Sequence, residues 1–270
     1  MAYEVLDVTL DAGIAHVRLN RPDKANAMSR TVWNEIREAF RWVDATPEAR
    51  VAVLSGNGPH FTAGIDLSLL GSVQREVEDP CPGRARERLR RLVLDLQDTL
   101  NALERCRKPV LAAVHGACIG GGVDLVCCAD VRYCSADAVF QVKEIDLGMT
   151  ADVGTLQRLP HLIGDGAARE LAYTGRRVNA AEAHGHRFVN RVFDDCDALM
   201  AGVGEVASAI AAKSPLAIRG VKEMLLYARD HSVTDGLNYV ATWNAAMLMS
   251  ADLGEAMSAA MQKRPPRFSD

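Results

Sequence analysis

The sequence predicts an α/β fold. Residues 51–54 and 110–114 are short apolar runs of the length and composition of buried strands. Between them, apolar residues recur every three to four positions, which indicates a helix. A helix between two strands of one sheet makes the strands parallel and leaves the helix outside the sheet. With 270 residues, 49% of them hydrophobic and 24% charged, the chain can form one large domain or two modest ones.

The first predicted elements are a hairpin and a helix. Residues 5–10 and 14–19 alternate apolar and polar side chains around an Asp-Ala-Gly turn, which is typical of a β-hairpin. Ser29 is placed to cap the helix that follows. The apolar face of that helix consists of Val32, Ile36, Phe40 and Val43. The buried strand at residues 51–55 comes next.

The middle of the chain continues the same alternation. Residues 68–83 are polar and lack helical periodicity, so we expect a mobile loop here, forming one wall of a binding pocket. The next helix ends before Lys108 and Pro109, and its predicted apolar face contains Leu89, Val93, Leu96, Leu100 and Leu103. After the strand at 110–114, a glycine triplet opens a helix through about residue 129, and residues 131–134 return as a strand.

The composition shifts near residue 195 toward alanine and methionine. We therefore predict a catalytic core at residues 1–195 and a helical C-terminal region at residues 196–270. From residue 165 onward the pattern is mostly helical, with one helix starting at Ser214 and Pro215. The last helices carry more apolar surface than a peripheral helix needs, which predicts an oligomer. This surface includes Ala245, Ala246, Met249 and Leu253.

Charge and cysteine content exclude several classes of protein. The net charge of -4 offers no attraction to a nucleic acid or an anionic membrane. The seven cysteines are odd in number and contain no C-x-x-C pair, and no signal peptide or address tag is expected, so a reducing, cytoplasmic location is predicted. The longest uncharged run, residues 109–123, is too short to span a bilayer. The histidines lack metal-ligand spacing, so no metal site is expected.

A stretch of five arginines precedes the apolar part of the second long helix. It can meet phosphates, but we expect it to form the solvated face of that helix. The residues are Arg84, Arg86, Arg88, Arg90 and Arg91.

Two glycine-containing segments point to a site for a negatively charged oxygen. Residues 61–66 read Phe-Thr-Ala-Gly-Ile-Asp after a buried strand, where Gly64 permits a turn that exposes backbone N–H groups. Residues 119–124 read Ile-Gly-Gly-Gly-Val-Asp at a strand-to-helix junction, where free N–H donors meet the positive end of a helix dipole. Neither segment matches a dinucleotide-binding or P-loop motif.

The third segment, residues 140–155, carries two acids. Glu144 and Asp152 flank a glycine-containing stretch, so both carboxylates can face a common cleft. Either acid taken alone is more often a solvated loop residue. The combination with the two glycine segments favours a catalytic function.

In this order and spacing, the three segments resemble the enoyl-CoA hydratase/isomerase (crotonase) superfamily, from Asn20 to Pro265. The resemblance implies a crotonase-like spiral of ββα units with a helical C-terminal trimerisation region. It also implies that the N–H groups of Ile65 and Gly121 form an oxyanion hole for a thioester carbonyl. Hydratases of this family carry glutamates at the positions of Asp124 and Glu144 and usually glycine at the position of Asp152, so this chain differs at two of the three.

The acids Asp124, Glu144 and Asp152 resemble the set of the dienoyl-CoA isomerase branch. The branch also shares the phrases at residues 61–66, 118–126 and 151–160, and those at 229–233 and 237–241. This resemblance implies a shift of the double bonds of 3,5-dienoyl-CoA to 2,4-dienoyl-CoA in fatty-acid β-oxidation. The three acids are the implied catalytic residues. Two alternatives stay open: an enoyl-CoA hydratase, and an RNA-binding protein on the same scaffold.

The family match also implies a set of substrate contacts. Coenzyme A is part of the substrate, so no separate cofactor is expected, and the family implies a homotrimer or homohexamer with no nucleic-acid or membrane partner. The implied contact residues are Lys24, Ala25, Ala63, Gly64, Asp66, Gly120, Lys263 and Phe268. Of these, Lys263 and Phe268 match a region that often reaches the ligand of a neighbouring subunit.

Overall fold

The computed structural model describes residues 3–270 and contains two β-sheets. The larger sheet has the strand order β1-β2-β3-β4-β6-β9, and the smaller has the order β5-β7-β8. The strands are β1 Leu6–Asp11, β2 Ile14–Leu19, β3 Val51–Gly56, β4 Val110–Val114, β5 Ala117–Ile119, β6 Val131–Ser135, β7 Val139–Gln141, β8 Val178–Asn179 and β9 Arg191–Phe193.

The described residues form eleven α-helices. They are α1 Arg30–Ala45, α2 Leu67–Val77, α3 Pro82–Arg105, α4 Gly121–Cys128, α5 Thr155–Ile163, α6 Asp165–Thr174, α7 Ala180–Gly185, α8 Cys196–Ala211, α9 Pro215–Asp230, α10 Val233–Met247 and α11 Ala251–Gln262. Strands β2, β3, β4, β6 and β9 run parallel, and only the hairpin strand β1 is antiparallel in the large sheet. The predicted α/β class, hairpin and parallel strands are therefore confirmed.

The large sheet is buried on both faces. Alternate residues of β3 point to opposite sides, so Ala52 and Leu54 join one apolar cluster while Val51 and Val53 join another. The first cluster contains the apolar face of α1, which Ser29 caps as predicted by accepting a hydrogen bond from the Val32 N–H. A sheet covered on both sides requires strands that are apolar throughout, which explains the uninterrupted runs at β3 and β4.

Helix α8 covers the second face of the large sheet. Its residues Leu199, Val203 and Ala207 are fully buried against β3, β4 and β6. The predicted division between residues 195 and 196 thus separates α8 from the sheet that it covers. The helices that extend beyond the sheet begin with α9, and no residue of α10 is buried in the single chain.

The expectation of a loop at residues 68–83 is wrong for most of its length, because residues 67–77 form helix α2 and α3 begins at Pro82. Asp66 caps α2 by accepting hydrogen bonds from the N–H and hydroxyl of Ser68, at 3.0 and 2.6 Å. Only Leu69 of α2 is buried. Its mobility stays a prediction.

Helix α3 is longer than its buried face. It begins at Pro82, and its arginine-rich start is exposed, as predicted for a solvated face. Of the five residues expected on its apolar face, Leu100 and Leu103 are fully buried, whereas Leu89 is exposed. The short strands β5, β7, β8 and β9 and the whole of helix α5 were not predicted.

Candidate active site

A cavity of about 520 Å³ lies where β5, α2, α4 and the segments around residues 144 and 152 meet. Its wall combines apolar side chains with four carboxyl groups, of which Asp124, Glu144 and Asp152 are the predicted catalytic acids. The lining residues are Lys24, Ala27, Trp33, Ala63, Gly64, Ile65, Asp66, Leu67, Leu96, Ile119, Gly120, Gly121, Asp124, Lys143, Glu144, Leu147, Met149, Asp152 and Val153. The cavity has the size and the few polar groups of a small-molecule site.

The backbone N–H groups without a hydrogen-bond partner among residues 3–270 include the two predicted oxyanion donors. They belong to Ile65 and Gly121, and both residues line the cavity. Gly64 places the first of them: its φ of +88° is left-handed, and a Cβ there would lie 2.6 Å from the Ile119 carbonyl oxygen. Only glycine fits this close approach of two backbones. The geometry supports the predicted pair of oxyanion donors.

The glycine triplet places the second donor. Gly120 has a φ of +51°, and a Cβ at Gly122 would lie 2.4 Å from Cγ2 of Thr62. Gly121 is the first residue of α4, so its N–H has no carbonyl one turn earlier in the helix. The positive end of the helix dipole therefore points to the same place as the free donor.

Asp124 is the deepest of the three acids. It is fully buried on α4, and its Oδ1 accepts hydrogen bonds from the N–H and the hydroxyl of Thr155, each 2.6 Å long. Its Oδ2 has no partner among the described residues. Burial raises the pKa of Asp124 to about 7. The charges of Glu144 and Asp152 also raise this pKa, and the hydrogen bonds from Thr155 lower it.

Glu144 and Asp152 complete the acid cluster. Glu144 is half-buried at the start of a 3-10 turn, and its Oε2 is buried without a partner in the described chain. Burial raises its pKa, and the charge of Asp152 raises it further. Asp152 is exposed, although partial desolvation by the cavity wall also raises its pKa. The sequence prediction that Glu144 and Asp152 face a common cleft agrees with the structure, and Asp124 lines the same cavity.

The predicted substrate contacts divide into two groups. Lys24, Ala63, Gly64, Asp66 and Gly120 line the cavity. The remaining three, Ala25, Lys263 and Phe268, do not.

Ala25, Lys263 and Phe268 lie outside the cavity lining. Ala25 contributes its carbonyl, which accepts the Ala63 N–H at 2.8 Å and so fixes the wall from behind. Lys263 ends α11, and Phe268 lines a separate cavity between α9, α10 and α11. In the single chain, the C-terminal residues therefore do not reach the cavity.

Several residues of the site carry no signal in the sequence. Trp33, Leu96, Leu147 and Met149 line the apolar part of the cavity but come from three separate places in the chain. Thr155 was part of a recognised phrase, yet its bonds to Asp124 depend on the approach of α5 to α4. Such contacts follow from the packing of helices and not from local pattern.

The cavity provides no metal centre. Across residues 3–270, no group of three or more His, Cys, Asp or Glu side chains is arranged to hold a metal ion. In the same range, no helix is long and apolar enough to cross a membrane. The polar groups that line the cavity are carboxyl groups, the amines of Lys24 and Lys143, and backbone N–H groups.

These features define a class of enzyme, and comparison with known sequences identifies it. The pattern of the enoyl-CoA hydratase/isomerase family matches residues 9–270. The chain belongs to this family, and the protein is an enzyme of the crotonase fold. A crystal structure of an enoyl-CoA hydratase from Bacillus anthracis superposes with a TM-score of 0.89 and 29% identity, covering 98% of this chain and 99% of that one.

Two curated relatives are more similar in sequence. The peroxisomal Delta(3,5)-Delta(2,4)-dienoyl-CoA isomerase of Arabidopsis thaliana is 48% identical over 98% of this chain and 96% of its own length. The mitochondrial Delta(3,5)-Delta(2,4)-dienoyl-CoA isomerase of Homo sapiens is 47% identical over 97% of this chain and 81% of its own length. The predicted relation to the dienoyl-CoA isomerase branch is confirmed.

Proposed function

We propose that the protein isomerises 3,5-dienoyl-CoA to 2,4-dienoyl-CoA. The observation that carries this proposal is the third carboxyl group, Asp152, which lines the same cavity as Glu144 and the two free N–H donors. The two curated relatives named above support the substrate class, since both are described as dienoyl-CoA isomerases. The corresponding metabolic role is to shift the double bonds of a dienoyl-CoA intermediate of fatty-acid β-oxidation.

The chemistry explains why a second proton-handling acid is useful. The substrate has double bonds at C3–C4 and C5–C6, and the product has them at C2–C3 and C4–C5. One proton leaves C2, the electron pair spreads over a dienolate, and one proton is added at C6, so no atom is gained or lost. Because C2 and C6 lie at opposite ends of the dienolate, two separate acids serve them more easily than one.

The residues of the cavity fit this sequence of events. Glu144 and Asp152 are the proton-handling pair, one acting as base and the other as acid. The N–H groups of Ile65 and Gly121 donate to the enolate oxygen, a contribution of about 3–4 kcal/mol per donor in comparable sites. Asp124 of α4 lines the same cavity. Its pKa of about 7 keeps a proton available near neutral pH, and burial also raises the pKa of Glu144.

The substrate side of the proposal follows from the same cavity. Lys24, Ala63, Gly64, Asp66 and Gly120 would contact the thioester or the coenzyme. Ala25 would act through its carbonyl, and Lys263 and Phe268 would act only from a neighbouring subunit. Coenzyme A arrives with the substrate, so no other cofactor is required, and neither nucleic acid nor a membrane is an expected partner.

We propose a homotrimer or homohexamer formed through the helical region within residues 196–270, with residues 1–195 carrying the chemistry. A reducing compartment fits the seven free cysteines. Cytoplasmic location stays a prediction, and the relatives named above are described as peroxisomal and mitochondrial.

The test is a pair of assays on the same enzyme. We expect 3,5-dienoyl-CoA to be converted to the conjugated 2,4-dienoyl-CoA, monitored by absorbance, at a rate far above the hydration of 2-enoyl-CoA. Glu144→Gln keeps the shape of the side chain but cannot accept a proton, so it should abolish turnover and retain acyl-CoA binding. Efficient hydration without isomerisation would establish the hydratase alternative instead.

A further inference from the structure

The strongest unassigned feature of the site is the contact between Thr155 and Asp124. Thr155 is the first residue of α5, and both its N–H and its hydroxyl donate to a single oxygen, Oδ1, at 2.6 Å each. Thr155 and Asp124 are both buried. The second carboxyl oxygen, Oδ2, has no partner among residues 3–270, and Asp124 lines the cavity. The contact therefore fixes the direction of the carboxyl group and leaves one oxygen available.

The same short segment also carries Asp152. Gln97 of α3 donates to the backbone carbonyl of Asp152 at 2.6 Å. Gly154 has a φ of +135°, and the guanidinium of Arg158 packs so tightly on it that an added Cβ would lie 1.9 Å from Nη1. Residues 152–155 are thus held at both ends, by Gln97 at Asp152 and by Asp124 at Thr155. Movement of one acid relative to the other requires breaking one of these contacts.

We infer that Thr155 is a positioning residue for the isomerisation, because its two hydrogen bonds orient Asp124 and fix the segment that carries Asp152. This inference rests on the function proposed above. It assigns Thr155 no contact with substrate. The hydroxyl of Thr155, in addition to its backbone N–H, orients the carboxyl group of Asp124 toward the reacting atoms.

The surroundings of Asp124 give this role a measurable signature. The ionisable groups that raise the pKa of Asp124 are Glu144 and Asp152, and the charge of Asp124 acts in turn on the thiols of Cys118, Cys127 and Cys128. The nearby cations are Lys24 and Lys143, which line the same cavity, and Arg158, which packs on Gly154 and acts on Cys127 and Cys128. Burial raises the pKa of Asp124, and the Thr155 hydroxyl is the largest of the influences that lower it. Loss of the hydroxyl alone must therefore raise the pKa of Asp124 further, because a donor to the ionised form has been removed.

The experiment compares Thr155→Val with Thr155→Ser. Valine keeps the branched shape and the N–H but removes the hydroxyl, whereas serine keeps both donors. For Thr155→Val we expect at least a tenfold loss of kcat with KM within twofold of the parent, since misplaced groups reduce the rate more than binding. For Thr155→Ser we expect kcat within threefold of the parent. Thr174→Val, which removes an exposed hydroxyl bonded within α6, is the matched control and should leave both constants unchanged.

The second readout does not depend on activity. The carbonyl-stretch band of the protonated Asp124 carboxyl is followed by infrared difference spectroscopy against pH and assigned by its loss in Asp124→Asn. Its midpoint should move to higher pH in Thr155→Val and stay in place in Thr155→Ser. If Thr155→Val does not fold, Thr155→Ala provides the same comparison.

The outcomes separate this inference from the proposed function. An unshifted midpoint together with a normal kcat in the hydroxyl-free variant would overturn the role of Thr155. An equal loss of activity in valine and serine variants would also overturn it, because the hydroxyl would then not be the cause. An enzyme without isomerase activity whose Asp124 midpoint still follows the hydroxyl would refute the proposed function and leave the orienting contact established.

Discussion

The three carboxyl groups of the cavity differ in their surroundings, and this difference decides what each can do. Asp124 is fully buried with two hydrogen bonds to one oxygen, Glu144 is half-buried with one oxygen unpartnered, and Asp152 is exposed. All three pKa values are raised, with desolvation as the largest cause in each case. The charges of Glu144 and Asp152 add to the raised pKa of Asp124, so the ionisation of one acid opposes the ionisation of its neighbours.

Removal of the exposed acid should abolish the isomerisation selectively. Asp152→Gly deletes one of the two proton-handling groups while leaving the carbonyl that Gln97 binds. We expect isomerase turnover to fall by at least about a hundredfold, in the range that general acid–base groups contribute. The free energy of unfolding, measured with denaturant, should be nearly unchanged. Asp194→Gly, an exposed loop acid outside the cavity, is the control. Isomerase turnover close to that of the parent would contradict the mechanism with two proton-handling acids.

The buried acid should make the stability of the fold depend on pH. Because the pKa of folded Asp124 is about 7 instead of 3.8, the folded chain holds a proton that the unfolded chain releases between these values. The stabilisation is fully present below pH 3.8 and is lost as pH rises through 7. Between pH 5 and pH 8 the loss of this stabilisation amounts to about 3 kcal/mol.

Asp124→Asn cannot titrate and should lose this dependence. We expect its free energy of unfolding to decline less steeply than that of the parent between pH 5 and pH 8, measured with urea at one protein concentration. The slope is the informative quantity, because the amide also changes the buried hydrogen bonds at every pH. Parallel pH profiles of the free energy of unfolding for the two proteins would show that the pKa of Asp124 is not raised.

Among the elements, some follow from local pattern and others depend on tertiary packing. The hairpin, α1 and strands β3, β4 and β6 were predictable because their periodicity and caps lie within a few residues of one another. Helix α2 was missed because it buries a single side chain, Leu69, and owes its start to the Asp66 cap. The site shows the same difference. The glycine segments predict the oxyanion donors from local sequence, whereas the contact of Thr155 with Asp124 forms only when α5 packs on α4.

An ion-pair network joins three elements behind the active-site segment. Glu104 of α3 accepts hydrogen bonds from Arg158 of α5 at 2.9 Å and from Arg229 of α9 at 2.6 Å, and its side chain is only 13% exposed. Arg158 in turn packs on Gly154, beside Thr155. Arg229 belongs to the phrase at residues 229–233 that marked the family branch, so the network gives that arginine a structural role.

Loss of the central charge should destabilise the fold. Burial acts to raise the pKa of Glu104, but the two arginines outweigh it and lower the pKa from 4.5 to about 2. The stabilisation is therefore present above pH 4.5 and is lost as pH falls toward 2. We expect Glu104→Gln to lower the free energy of unfolding by about 3 kcal/mol at pH 7 and by much less at pH 3.

The same helix offers a matched control for this change. Glu87→Gln removes an acid that pairs with Arg91 one turn away, with both side chains more than half exposed. Exposed pairs of this kind contribute about 0.5 kcal/mol or less. Equal effects of the two substitutions in denaturant unfolding at pH 7 would argue against a special role for the network.

As a whole, the molecule combines a closed core with an open C-terminal surface. The large sheet is covered on both faces, and its apolar clusters end with α8. Helices α9, α10 and α11 and the turn between the last two instead expose large apolar side chains. They include Leu237 of α10, Met249 of that turn, and Met257 and Met261 of α11, at 64%, 90%, 58% and 79%. Helix α10 has no buried residue at all. A helix that buries nothing within its own chain gains little from packing, so a contact with another copy would stabilise it.

This surface leads to a prediction about assembly. We expect light scattering at micromolar concentration to give at least three times the chain mass of 29.2 kDa. The double substitution Leu237→Lys and Met249→Lys places two charges in the exposed apolar surface and should shift the protein toward monomer, because buried unpaired charges are costly. Tyr173→Lys, at a residue of α6 that is 70% exposed, is the control and should leave the mass unchanged. A monomeric mass for the parent chain would mean that the C-terminal helices serve another purpose, and Lys263 and Phe268 would then have no ligand within reach.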